Sequence, residues 1–171
     1  MAIRPALVAA LAAAAAAAGA PGARAQSSTV VPQPPVTVSL VVRAMRDLKF
    51  GSVLRGIPTS VATTDPRSAG EFDIQGTPGG TVRLELLLPS ALERPGVASM
   101  PIGFAPGDGS YDASPGAVTR TFFDPHLPVV TQLGPRGKLI VWLGGTVTPD
   151  LFQVKGIYVA TVSLTVFNLG T

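Results

Sequence analysis

The chain has 171 residues, with 13 Lys and Arg against 10 Asp and Glu, a single histidine and no cysteine. Disulfides and thiolate metal sites are therefore excluded, and one histidine cannot build a two-histidine zinc site within one chain. The basic residues are scattered singly, without the run or stripe that marks a nucleic-acid footprint.

Residues 1–25 have the form of an export signal. Arg4 precedes an unbroken apolar stretch, Ala6 to Ala18, followed by a Gly19/Pro21/Gly22 break and the small-residue triplet Ala23-Arg24-Ala25 that a signal peptidase reads. Cleavage is expected between Ala25 and Gln26. The apolar run is shorter than the ~20 residues a bilayer span needs and is mostly Ala, which argues against a transmembrane anchor. Once Arg4 and Arg24 leave with the signal, 11 basic residues face 10 acidic ones. The expected location is the periplasm, the cell surface or the extracellular space.

Gln26–Pro35 is a Pro- and Ser-containing lead, expected to be flexible, and residues 36–171 are expected to form one domain. Apolar residues then fall at spacing two. Val36, Val38, Leu40 and Val42 share one face of a first strand, against Thr37 and Ser39. Shorter strands are predicted at Leu48–Phe50, Val61–Thr63 and Phe72–Ile74, and the glycine-rich stretch Gly76–Gly80 is read as a hairpin connection into Thr81–Leu88. There Val82, Leu84, Leu86 and Leu88 alternate with Thr81, Arg83 and Glu85. Further strands are predicted at Met100–Phe104, Val118–Phe122 and Leu139–Leu143. A terminal strand places Tyr158, Ala160, Val162, Leu164 and Val166 on one face.

Seventeen prolines and nineteen glycines leave no window of helical period long enough for a stable helix. Eight or nine short strands punctuated by turns predict an all-β antiparallel sandwich. An outer-membrane barrel has similar alternation, but spanning strands need ~9–11 residues and most of these segments are far shorter.

Three stretches together resemble a bacterial export family, the domain of unknown function 4402, whose members resemble fimbrial subunits and spore coat protein U-like proteins. They are Asp47-Leu48-Lys49-Phe50-Gly51, Glu71-Phe72-Asp73-Ile74-Gln75-Gly76, and Leu143-Gly144-Gly145-Thr146-Val147 followed by the Gly156-Ile157-Tyr158 strand start. The resemblance implies an immunoglobulin-like, pilin-like sandwich that assembles on the cell surface. It also implies partners: other copies of the chain or related subunits, and a periplasmic chaperone. Family members often end on a tyrosine after an Asn; here Phe167 precedes Asn168 and would take that aromatic's place.

The physical logic of such assembly is strand donation, in which an exposed sheet edge accepts an extended segment of another subunit. Val36, Val38, Leu40 and Val42 suit a donor. The few residues between Val42 and Phe50-Gly51 favour instead the domain's own first strand. Tyr158, Val162, Leu164, Val166 and Phe167 are the candidate assembly residues of the terminal strand.

Candidate chemistry is sparse. His126 lacks a Gly-x-Ser-x-Gly elbow that would supply a nucleophile, and reads as a loop histidine. Asp108-Gly109-Ser110-Tyr111-Asp112 has the start of a calcium loop, but Thr119 stands where the bidentate Glu belongs, so a turn is expected. Glu71, Asp73, Glu85 and Glu93 are the carboxylates weighed for glycoside cleavage, the first three on polar strand phases. Trp142 is a candidate surface aromatic on a strand with two apolar faces, although packing is its more common use. Gly144-Gly145 reads as a bulge or point of close approach. The expectation is a non-enzymatic structural or adhesive surface component without a cofactor. The alternative is a monomeric module binding glycan or another envelope ligand through the loops between Pro89 and Pro135.

Overall fold

The computed structural model describes residues 39–114 and 120–170. The expected signal, the lead, Val36 and Val38 lie outside the described residues. Within them the chain forms twelve strands and no helix. These are β1 (Val41–Arg46), β2 (Thr59–Val61), β3 (Gly70–Gln75), β4 (Thr81–Leu87), β5 (Ala91–Arg94) and β6 (Ala98–Gly103). β7 (Gly109–Asp112), β8 (Thr121–Phe123), β9 (Val129–Gln132), β10 (Lys138–Leu143), β11 (Gly145–Val147) and β12 (Ser163–Gly170) follow.

Every strand pairing is antiparallel. The strands make a five-stranded sheet β1-β3-β10-β7-β8, a four-stranded sheet β2-β11-β6-β5 and a three-stranded sheet β12-β4-β9. Each sheet ends in edge strands, so none closes into a cylinder. The architecture is an antiparallel β-sandwich.

Period-two patterning explains how the layers meet. Ile74 of β3 with Leu139 and Val141 of β10 packs against Val82 and Leu84 of β4 and against Leu133, which joins the five-stranded sheet to the three-stranded one. A second cluster contains Met100 and Ile102 of β6, Phe104, Leu143 of β10 and Val147 of β11. Leu86 and Leu88 lean on this second cluster, so β4 supplies both cores from a single face, as does β10. The opposite phase of β4 carries Arg83 and Glu85, ion-paired at 2.9 Å. That is the placement a strand buried on one face requires.

Gly144 lets one run of chain serve two sheets. β10 pairs with β3 and β7, whereas β11, one residue further on, pairs with β2 and β6. At the switch a Cβ on Gly144 would collide with the Val61 carbonyl oxygen, while the Gly144 N–H donates to the Asp108 carbonyl at 2.7 Å. The glycine pair is thus a point of close approach.

Several expectations are corrected. Gly76–Gly80 is not a hairpin loop: β3 and β4 belong to different sheets, and the segment carries the chain across the sandwich. Leu48–Phe50 is not a strand; β1 ends at Arg46, and Leu48 and Phe50 plug the second core from an irregular segment. The terminal strand begins at Ser163 and not at Tyr158. β5, β7, β9 and β11 were not anticipated as separate strands, being short and lacking sustained alternation.

Candidate functional site: an open apolar groove

β1 ends the five-stranded sheet, β5 the four-stranded sheet and β12 the three-stranded sheet. The chain between β11 and β12 passes the free side of β5 and pairs with it at one bridge. There the Glu93 N–H donates to the Val159 carbonyl at 2.7 Å and the Val159 N–H returns a bond of 3.0 Å. It then leaves β5 to become β12 beside β4.

Between β1 and this passing segment lies a groove of about 1030 Å³. Ala44 and Arg46 of β1 form one wall, residues 153–160 form the other, and Met100, Ile102, Leu143 and Val147 make the floor. The rim is mostly cationic: Arg46, Lys49, Arg55 and Lys155 against Asp47. Arg46 is held in place by Glu71 at 3.1 Å and by the Pro66 carbonyl. An apolar floor below a charged rim beside an unpaired strand edge can take an extended peptide, because the edge offers main-chain hydrogen bonds and the floor offers apolar pockets.

The passing segment is fixed by a residue that the sequence did not single out. Gln153 is buried; its Nε2 donates to the Ser99 carbonyl at 3.0 Å and to the Tyr158 hydroxyl at 2.8 Å, while its Oε1 accepts from the Asp150 N–H at 3.2 Å. The Tyr158 hydroxyl donates onward to the Val154 carbonyl at 2.7 Å. Nothing in a lone glutamine between Phe152 and Val154 signals this role, since the Ser99 carbonyl that ties it to β6 is distant in sequence.

The expected assembly residues divide. Leu40 packs on the first core and Val42 pairs with Ile74, so both serve this domain's own layer. Leu164 and Val166 face the first core and Val162 the second, with Tyr158 beside it. Only Phe167 points outward, and the Arg83 guanidinium lies over its ring at 4.6 Å from the centroid.

Trp142 is a correction to the surface-aromatic expectation, being only 9% exposed. The Arg120 guanidinium covers its ring at 3.8 Å and donates to the Thr63 carbonyl, which places a cation where a ligand would have to stack. Asp108 and Asp112 do not converge as calcium ligands. Asp108 immediately precedes β7 and Asp112 is its last residue, so the extended strand holds them about 13 Å apart along its axis, and each carboxylate caps a backbone N–H, of Ala105 and of Ser114. Among the described residues no group of three or more His, Cys, Asp or Glu comes together.

His126 sits on the surface, its Nε2 3.1 Å from the Phe104 carbonyl and its ring edge-on to Phe104. The carboxylates weighed for glycoside cleavage are mostly spent on cations: Glu71 on Arg46, Asp73 on Lys138 at 3.7 Å, and Glu85 on Arg83. Comparison of the chain with protein-family models, with curated proteins and with solved structures finds no match.

Proposed function

We propose that the protein is an exported structural or adhesive cell-surface component that acts by protein–protein association, its groove accepting an extended segment of another copy or a related subunit. The observation that carries this reading is the groove itself, an apolar floor flanked by the unpaired side of β1. A strand laid along β1 would satisfy that edge and drop alternate side chains onto Met100, Ile102 and Val147. Residues 1–25 support export, and a periplasmic chaperone that guards the groove before assembly fits the same chemistry. On this reading the sandwich is of the immunoglobulin-like, pilin-like kind.

Contact, not turnover, is the activity proposed. The test is electrophoresis without heating, together with sedimentation of the purified protein. Assembly predicts a heat-labile ladder that Ala44→Glu removes, because Ala44 is exposed on β1 and a carboxylate there blocks the groove wall without touching the core. A sharp, fully stable monomer at high concentration would overturn the proposal and favour a monomeric ligand-binding module.

A further inference from the structure

Two tight turns lie side by side next to the groove. In Leu54–Ile57 the Ile57 N–H donates to the Leu54 carbonyl at 3.2 Å, and Gly56 supplies a positive φ of 67°. In Asp150–Gln153 the Gln153 N–H donates to the Asp150 carbonyl at 3.1 Å and the Asp150 carboxylate accepts from the Phe152 N–H at 2.8 Å. The Gly56 N–H, donating to the Asp150 carbonyl at 3.2 Å, ties the turns together. A Cβ at Gly56 would collide with the Leu151 side chain, so the two turns are in direct contact.

The central positions of such turns ordinarily hold Gly, Pro, Asn, Asp or Ser. In the Asp150–Gln153 turn they hold Leu151 and Phe152, 71% and 87% exposed, with Leu54, Ile57 and Ile157 exposed nearby. None of these five side chains belongs to either core. The buried Gln153 closes the turn beneath this exposed apolar tip. A cluster of that size standing in water marks a contact surface.

Charge identifies the surface. Arg55 and Lys155 are exposed within the same two segments and take part in no ion pair among the described residues. Asp150 is the one acidic residue in 52–57 and 149–157, and its carboxylate already caps the Phe152 N–H. Side chains as exposed as Leu151 and Phe152 stand clear of the fold, and with two free cations beside them they match a soft, flat, anionic layer better than a matching protein cavity.

We propose that this tip docks on an anionic lipid surface, with Leu151 and Phe152 entering the acyl boundary and Arg55 and Lys155 meeting headgroup phosphates. Leu54, Ile57, Leu151 and Phe152 line no part of the groove, whereas Arg55 and Lys155 stand on its rim, so the apolar tip is separate from strand acceptance and the two cations are shared with it.

A Phe152→Trp variant of the full chain tests it, because Trp142 is buried and contributes a constant background. With phosphatidylglycerol/phosphatidylethanolamine vesicles in about 0.1 M salt, the tip emission should move to the blue and be quenched by brominated acyl chains. Adding Arg55→Gln or Lys155→Gln should weaken binding about fivefold for each charge removed. These variants keep the apolar N-terminus, so the differences report the two cations and not the N-terminus. Emission that ignores the anionic vesicles would overturn the proposal, as would equal shifts on phosphatidylcholine. A blue shift that grows with protein concentration in the absence of lipid would assign the tip to a second copy and also overturn it.

Discussion

Gln153 holds more of the groove wall than its single side chain suggests. It bonds the Ser99 carbonyl, the Asp150 N–H and the Tyr158 hydroxyl at once, all in or near the segment that forms the wall. Gln153→Ala should cost about 1–3 kcal/mol, since it leaves buried polar groups unpaired, and a urea melt measures it. A change below about 0.5 kcal/mol, the range of ordinary surface substitutions, would show that the segment is held by its apolar contacts alone. Asp65 is a second polar fixture: its carboxylate accepts from the Arg67 N–H at 2.9 Å and the Ser68 N–H at 3.3 Å. The Arg67 backbone bond first, and the Ser68 side chain next, hold its pKa below the ordinary 3.8. The folded value is depressed, so its stabilisation is complete above that ordinary value and is lost as pH falls through the folded one. Wild type should therefore exceed Asp65→Asn in stability near neutrality and converge with it on acidification; a gap that persists in acid would refute the assignment. The polar fixtures at Gln153 and Arg120 were not legible in the sequence. Both bond carbonyls that only the fold brings near, Ser99 and Thr63.

At the scale of elements, β4 shows what periodicity can decide. Leu84 is fully buried whereas Leu87, on the opposite phase, is exposed. Leu84→Ala should cost about 2–5 kcal/mol through lost burial and the cavity left behind, while Leu87→Ala should stay within about 0.5 kcal/mol. Comparable losses at both positions, measured in parallel urea titrations, would mean that both faces are covered. The alternation of Val82, Leu84 and Leu86 was readable because each residue's environment follows from its neighbours two places away. The 76–80 connection was not readable in this way. A five-residue loop is equally able to join paired strands or to cross between layers, and its length carries no record of which sheet accepts the next strand.

Across the whole molecule, β4 and β10 each run through both apolar clusters, so neither cluster can loosen without disturbing a strand of the other. Unfolding should be a single transition, with Trp142 fluorescence from β10 and far-ultraviolet circular dichroism superimposing. Two resolved transitions would show that the clusters are separable. The sequence by itself determined the all-β antiparallel class, the inward face of β4 and the exclusion of thiolate chemistry, because residue type and a spacing of two act locally along the chain. Only the tertiary structure decided the partners of each strand, the burial of Trp142 beneath Arg120, and the groove between β1 and residues 153–160. Those depend on which distant backbone edges come together, and edges carry the same N–H and C=O groups whatever the sequence that bears them.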